Sequence, residues 1–269
     1  MSTTLRLIHD SAHSATFNMA ADLYLLETIP ADTVIVRLYT WEHPTITLGY
    51  MEDPLLVLDH AALKRDGVEW VRRATGGRAV LHAGDITYSC VFPSTLTAMG
   101  SSISESYQII SDCLMDGLKQ CGIVCTTHDS ALDIDAVRTN LKLPCFLAPN
   151  RQEIMVAGKK LVGSAQKRTD TAVLQHGSIP ITAQFVNLPD YLTIDDDQKK
   201  RFKKLLIDKG TCINDICPAL SFDQIKKYLL DGFHGRLAFV VEYRPWTERE
   251  LLLIEQRAGE KTFIERWCR

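Results

Sequence analysis

The sequence predicts an α/β (α+β) fold, a mixed central β-sheet flanked by helices, and three features predict it. In the first half, short β-branched runs alternate with stretches of helical period. A capped amphipathic helix follows Ser102. The tail carries two further helix-start signals with a strand-like run between them. Strands mixed with helices throughout call for a sheet that helices cover.

Taken in order, residues 14–29 read as a helix with Met19, Leu23 and Leu26 on one face. Val34-Ile35-Val36-Arg37-Leu38-Tyr39, Glu69-Trp70-Val71-Arg72 and Ile86-Thr87-Tyr88-Ser89-Cys90-Val91-Phe92 read as strands, being rich in β-branched and aromatic residues. Ser102 and Glu105 form a capping box that opens a helix. Ile103, Tyr107, Ile110, Leu114, Leu118 and Cys121 give it one buried face, and Gly122 ends it. Further strands are expected over 153–156, 160–164 and 173–181. From about Asp195 the character changes. Ser221-x-x-Gln224 and Thr247-x-x-Glu250 open helices on either side of the strand-like residues 237–243. The expected organisation is one main domain over residues 1–215, with 216–269 as a helical extension packed on it.

The chain has 269 residues, 46% hydrophobic and 23% charged, enough for a proper core. A formal net charge of −3 argues against a nucleic-acid partner, whose phosphates demand many cations. The start, Met1-Ser2-Thr3-Thr4-Leu5-Arg6, lacks the apolar stretch of a signal peptide, and no apolar run has the length of a spanning helix. A cytoplasmic protein without membrane contact, and a monomer, is therefore expected. The eight cysteines form no Cys-x-x-Cys pair and no His cluster accompanies them, so no metal site is expected and most should be small core residues.

Three segments carry chemistry. In Arg72-Arg73-Ala74-Thr75-Gly76-Gly77-Arg78-Ala79-Val80-Leu81-His82-Ala83-Gly84-Asp85, a strand delivers two arginines into a Gly-Gly turn. Glycines there allow close backbone approach to a ligand and aim N–H groups at a carbonyl or phosphate, although a plain hairpin turn has the same look. In Gly158-Lys159-Lys160-Leu161-Val162-Gly163-Ser164-Ala165-Gln166, a turn at Gly158-Lys159 leads into a strand whose small residues could line a narrow slot. A lysine aimed into such a slot can hold an oxyanion or depress a thiol pKa; a solvated strand-end lysine is the plain alternative. In Leu174-Gln175-His176-Gly177-Ser178-Ile179, a glycine within a strand signals close backbone approach.

Together these segments resemble the lipoate–protein ligase and octanoyltransferase family, which shares its catalytic fold with biotin–protein ligases. The matching patterns are Arg-Arg-x-x-Gly-Gly-x-x-Val-x-His-x-x-Gly-Asp at 72–85, Gly-Lys-Lys-x-x-Gly-Ser-Ala-Gln at 158–166 and Leu-Gln-His-Gly-Ser-Ile at 174–179. Asn18-Met19-Ala20-x-Asp22 and Thr47-Leu48-Gly49-Tyr50 also fit, and the likeness covers most of residues 5–215. It implies a substrate site made by Arg72, Gly76, Gly77, Arg78, Ala79, His82, Gly163, Ser164, Ala165, His176 and Gly177. Within the family, ligases activate free lipoate with ATP and Mg as an acyl-adenylate. Octanoyltransferases need no such cofactor and take a thioester from octanoyl-acyl carrier protein. Cys145, in Leu143-Pro144-Cys145-Phe146, lies fifteen residues before Lys160, which is similar to the placement of nucleophile and lysine in the cysteine-dependent octanoyltransferases. The resemblance thus implies Cys145 and Lys160 as catalytic residues and a lysine of a lipoyl-domain protein, such as the glycine cleavage H protein, as acceptor. The ATP-dependent ligase is the alternative. The run Lys199-Lys200-Arg201-Phe202-Lys203-Lys204 reads as a solvated helix face, with docking of acidic carrier and lipoyl domains as the second reading.

Overall fold

A computed structural model describes residues 2–127 and 153–268. The run at 34–39 lies in strand β2 (Thr33–Trp41), which is buried along nearly its whole length. A strand covered on both faces needs a near-continuous apolar sequence. Val34, Val36 and Leu38 enter one core and Ile35 the opposite one. β2 pairs in parallel with β1 (Thr4–His13) and antiparallel with β6 (Asp85–Pro93). Beyond β6 come β10 (Ala172–Pro180), β9 (Lys159–Arg168), β8 (Ile154–Val156) and β7 (Thr126–Thr127), all antiparallel. At the other edge β11 (Val240–Tyr243) runs parallel to β1, with Leu5 opposite Val241. Among the described residues the main sheet therefore has eight strands. A smaller sheet in the order β4-β3-β5 joins β3 (Thr45–Leu48), β4 (Glu69–Arg72) and β5 (Val80–His82). The mixed sheet flanked by helices is the architecture that the sequence predicts.

Helix α1 (Ala15–Thr28), N-capped by the Ser14 hydroxyl, covers one face. The short α2 (Pro54–Val57) and α3 (His60–Asp66) lie beside the small sheet. Helix α4 (Ile103–Gln120) covers the other face with Ile110, Leu114 and Leu118. Its N-cap differs in detail from a closed box: Ser102 accepts from the Glu105 N–H, but the Glu105 carboxylate reaches the N–H of Ser101. Later come α5 (Asp196–Lys209), α6 (Ile213–Ile216), α7 (Phe222–Arg236), α8 (Glu248–Gly259) and α9 (Lys261–Trp267). The boxes at Ser221/Gln224 and Thr247/Glu250 both close. The β8–β9 turn sits one residue earlier than expected, at Ala157 and Gly158, both with positive φ of 49° and 78°. A two-residue turn of that hand matches the twist of its strands, so Lys159 already belongs to β9.

Residues beyond 215 contribute to both faces. α7 lies against α4 with Ile225, Leu229 and Phe233 in the same core. α8 and α9 join α1 through Ile254, Phe263 and Trp267. Buried Arg6 on β1 grips Glu250 at 2.5 and 2.9 Å and donates to the carbonyls of Arg244 and Pro245. Trp246 donates its indole N–H to Asp10 at 2.8 Å. No helix among the described residues is long and apolar enough to cross a membrane.

Two predictions follow from this packing. α4 and α7 meet through Gly117 and Gly232: a Cβ on Gly232 would lie 2.2 Å from the Cys113 carbonyl oxygen and 2.5 Å from the Gly117 nitrogen. Gly232→Ala should destabilise the fold by about 1–3 kcal/mol, read as a lowered Tm. Burial alone would raise the Asp10 pKa, but hydrogen bonds from His13 and Trp246 and the Arg37 charge hold it well below the usual carboxylate range. A depressed carboxylate stabilises the fold above its unfolded pKa of about 4 and loses that contribution as pH falls toward its folded value. Urea midpoints should therefore drop below about pH 4, and Asp10→Asn, less stable at neutral pH, should show a flatter acid limb.

Candidate active site

Between the main and small sheets lies a cavity of about 390 Å³, a volume in the range of small-molecule sites. β2 supplies Tyr39 and Trp41, β3 Thr47, β5 Val80 and His82, β6 Thr87, and helices α1 and α4 add Met19 and Tyr107. β9 contributes Lys160 and Gly163 through Gln166, and β10 contributes His176, Gly177 and Ser178. The turn of Gly76, Gly77 and Arg78 completes the wall.

Pleat alternation places the small residues. Gly177 on β10 stands opposite Ser164 on β9 and Tyr88 on β6. A Cβ there would sit 2.4 Å from the Gly163 carbonyl oxygen and 2.7 Å from the Tyr88 ring. The missing side chain lets the Tyr88 hydroxyl reach Ser164 Oγ at 2.7 Å while accepting from Gln175 at 2.9 Å. Burial pushes the Tyr88 phenol pKa well up, so it stays a neutral donor. At the Gly-Gly turn, Arg73 is folded inward and donates to the carbonyls of Thr47, Gly76 and Arg78. It braces the turn from behind. Gly77 has φ 96°, and Gly49 backs so closely onto it that a Cβ on Gly49 would overlap the Gly77 carbonyl.

Two buried histidines present matching chains of polar contacts. His82 Nδ1 lies 2.8 Å from Asp85 Oδ2 and its Nε2 lies 3.0 Å from Thr47 Oγ1. His176 Nδ1 lies 2.9 Å from Asp22 Oδ2 and its Nε2 lies 2.7 Å from Thr75 Oγ1. Since an ionised carboxylate only accepts, each imidazole donates from Nδ1, and a threonine hydroxyl engages its Nε2. Asp85 also accepts from Thr87 and Ser178, and Asp22 from Tyr39 and Arg37. Both rings are thus fixed in orientation with their polar atoms already engaged, and the cavity keeps a mostly apolar lining.

Lys160 is only 5% exposed, and its ammonium donates to Glu153 Oε1 at 2.5 Å. Residue alternation along β9 turns Lys160 inward while neighbouring Lys159 stays exposed. Of the residues the sequence singles out, Lys160, Gly76, Gly77, Arg78, His82, Gly163, Ser164, Ala165, His176 and Gly177 meet around one cavity. Arg72 and Ala79 are not brought to its wall. Arg72 turns toward α9, its guanidinium 3.5 Å from the Arg266 carbonyl. Ala79 packs its methyl into the small-sheet core with Ile46 and Leu48. Cys145 lies outside the described residues. Sequence reasoning missed Tyr39, Trp41, Tyr107 and Glu153. Tyr39 and Trp41 carry a readable signal, two aromatics at strand spacing i, i+2; Glu153 has none beyond its place at the start of a hairpin.

The slot between the two sheets is walled by the Gly-Gly and Gly-Ser-Ala segments through which the sequence resembles the lipoate–protein ligase family, and it holds a buried ammonium. The comparisons agree. The lipoyl protein ligase A/B catalytic domain matches residues 14–234. The chain is 35% identical to the octanoyltransferase LipM of Kyrpidia tusciae, over 98% of both chains. It is 32% identical to that of Staphylococcus aureus over 99% of both chains, and 34% identical to that of Bacillus anthracis over 97% of this chain and 96% of the relative. Among solved structures, a lipoate-protein ligase A bound with ATP superposes with a TM-score of 0.75 at 21% identity, covering 97% of this chain and 96% of the other. The bi-partite ligase of Thermoplasma acidophilum superposes at 0.78 and 20% identity, covering 100% and 96%. The chain belongs to the lipoyl protein ligase A/B catalytic domain family.

The close approach at Gly177 generates a prediction. Gly177→Ala should displace Tyr88 or β9 and narrow the slot, costing about 10²-fold in turnover while the far-UV spectrum is retained. Steady-state assay beside circular dichroism checks it, and wild-type turnover would show that the space is not needed.

Proposed function

We propose that the protein is an octanoyltransferase of protein lipoylation, moving an octanoyl group from octanoyl-acyl carrier protein to a lysine of a lipoyl-domain protein. The carrying observation is Lys160: an ammonium buried beside a mostly apolar cavity large enough for a medium-length acyl chain. The full-length likeness to proteins named octanoyltransferase supports transfer over ATP-dependent ligation.

In this reading the octanoyl tail lies in the slot between the sheets, against Met19, Tyr39 and Trp41. The Cys145 thiolate attacks the thioester carbonyl, a tetrahedral oxyanion forms, and its collapse expels the carrier thiolate. The acceptor amine then attacks the Cys145 thioester, the amide forms, and the cysteine sulfur leaves. Each step exchanges one acyl bond for another, so neither ATP nor a metal is consumed. Lys160 supplies positive charge that favours a nearby thiolate and steadies the oxyanion. Glu153 holds that ammonium in place. Gly76, Gly77 and Arg78 enclose the substrate, and His82, Ser164 and His176 fix the shape of the slot. Residues 216–269 are an extension of the same catalytic unit. Cytoplasmic location suits a soluble carrier donor.

The family resemblance points to Cys145 as the nucleophile, and several of the other thiols are poorly suited to that role. Burial pushes the thiol pKa of Cys113 up to about 12, and those of Cys121, Cys125 and Cys268 up to about 11. Such thiols are poor nucleophiles near neutral pH. Incubation with octanoyl-acyl carrier protein should add one octanoyl mass, labile to hydroxylamine, on the peptide containing Cys145. Cys145→Ala should lose both the adduct and transfer, and transfer should not respond to ATP. Full transfer by Cys145→Ala would overturn the thioester route.

A further inference from the structure

Helix α5 begins within three residues of acids, Asp195 to Asp197, and then turns basic: from Lys199 to Lys209 there are six bases and one acid, Asp208. The whole chain is acidic, so this concentration is local. Amphipathicity alone explains a solvated helix, but not where the helix lies. Phe202 and Leu206 anchor it inward, and its C-terminal end abuts the strand of the buried lysine: Gly210 bridges Lys160, and the Thr211 N–H donates to the Lys160 carbonyl at 3.0 Å. Exposed Lys159 donates its ammonium to the Ile207 carbonyl at 3.0 Å, closing helix and strand into one surface.

That surface has the layout of a docking face. Ile207 is 54% exposed, an apolar centre that the fold leaves uncovered. Around it stand Lys159, Lys200, Arg201 and Lys204, all exposed. The acids do not cancel them: Asp208 pairs with Lys204 and Asp197 with Lys200, which still leaves Lys159 and Arg201 in excess. An apolar centre with a cationic rim fits an acidic partner, steers it electrostatically and sets its orientation.

Reach decides which partner. At 1.5 Å per residue the exposed face runs about 10 Å from Ile207 back to Lys200, away from the Lys160 strand. A lysine side chain, a four-carbon stem, is too short for a domain seated along that length to present its amine at the buried ammonium. A carrier domain whose acyl group hangs on a long phosphodiester-linked arm can sit there and still deliver its thioester. Resting on the octanoyltransferase reading, we propose that the basic face of α5, with Lys159 and Ile207, is where the acidic acyl carrier docks to donate its octanoyl group.

Binding of octanoyl-acyl carrier protein to the full chain, followed by fluorescence anisotropy at low salt, tests the docking without requiring turnover. Lys200→Glu/Lys204→Glu should weaken it about tenfold and flatten its salt dependence, and Ile207→Ser should weaken it with the salt dependence kept. Lys227→Glu on α7 should leave affinity unchanged. In transfer assays the charge-reversed protein should show a raised KM for the carrier donor and an unchanged KM for octanoyl-coenzyme A and for the acceptor domain. Unchanged carrier affinity overturns the proposal, as does a raised acceptor KM with the donor KM unmoved. If the wild-type chain binds the carrier at this face but forms no octanoyl adduct, the docking stands and the transferase reading fails.

Discussion

The structure turns on one buried cation. Arg37, at the centre of β2 and fully buried, lies between two carboxylates, Asp10 at 2.7 Å and Asp22 at 3.4 Å, with Asn18 Oδ1 at 2.6 Å and the Tyr39 ring beneath it at 3.9 Å. A charge so far from water is tolerated only if its donors are met, and removing one partner costs far more than replacing the whole cluster with apolar groups. The constraint spreads in two directions. Through Asp10 it reaches Trp246 and the C-terminal segment. Through Asp22 it reaches Tyr39 and His176 and so fixes one wall of the cavity. Fold and site share a single electrostatic solution.

The cavity wall repeats a device. Two aspartates, two histidines and two threonines form chains of the same sequence of donors and acceptors, one in each flank. Their effect is to present ring faces and edges while satisfying polar atoms behind them, as buried polar groups require. An acyl tail meets shape rather than charge. Charge enters the wall at Lys160, which is paired with Glu153, and at Arg78 of the Gly-Gly turn.

Most of the main sheet was legible because its strands carry continuous or alternating apolar runs, as β2 and β6 do. The Ser102 helix announced itself through both cap and periodicity. β1 was harder: Arg6 and Asp10 break its pattern and are explained only by long-range partners, Glu250 and Arg37, while His13 turns back onto Asp10. The same limit applied to the site. Motif segments named ten of the residues that meet at the cavity, since glycines and small residues mark close approach. Arg72 and Ala79 share those motifs but turn elsewhere, Arg72 toward α9 and Ala79 into the small-sheet core, and the motif does not say which side the cavity is on. Glu153 and Tyr107 come from other elements and are joined to the site by tertiary packing alone.

The parallel pairing of β1 with β11 joins residues 4–7 to residues 240–243. Such a register closes a very long loop, and its entropy must be met before the edge of the sheet forms. During synthesis on the ribosome, the emerging β1 therefore waits with one flank bare until β11 has been translated. An unmatched strand edge held that long is a natural client for a chaperone.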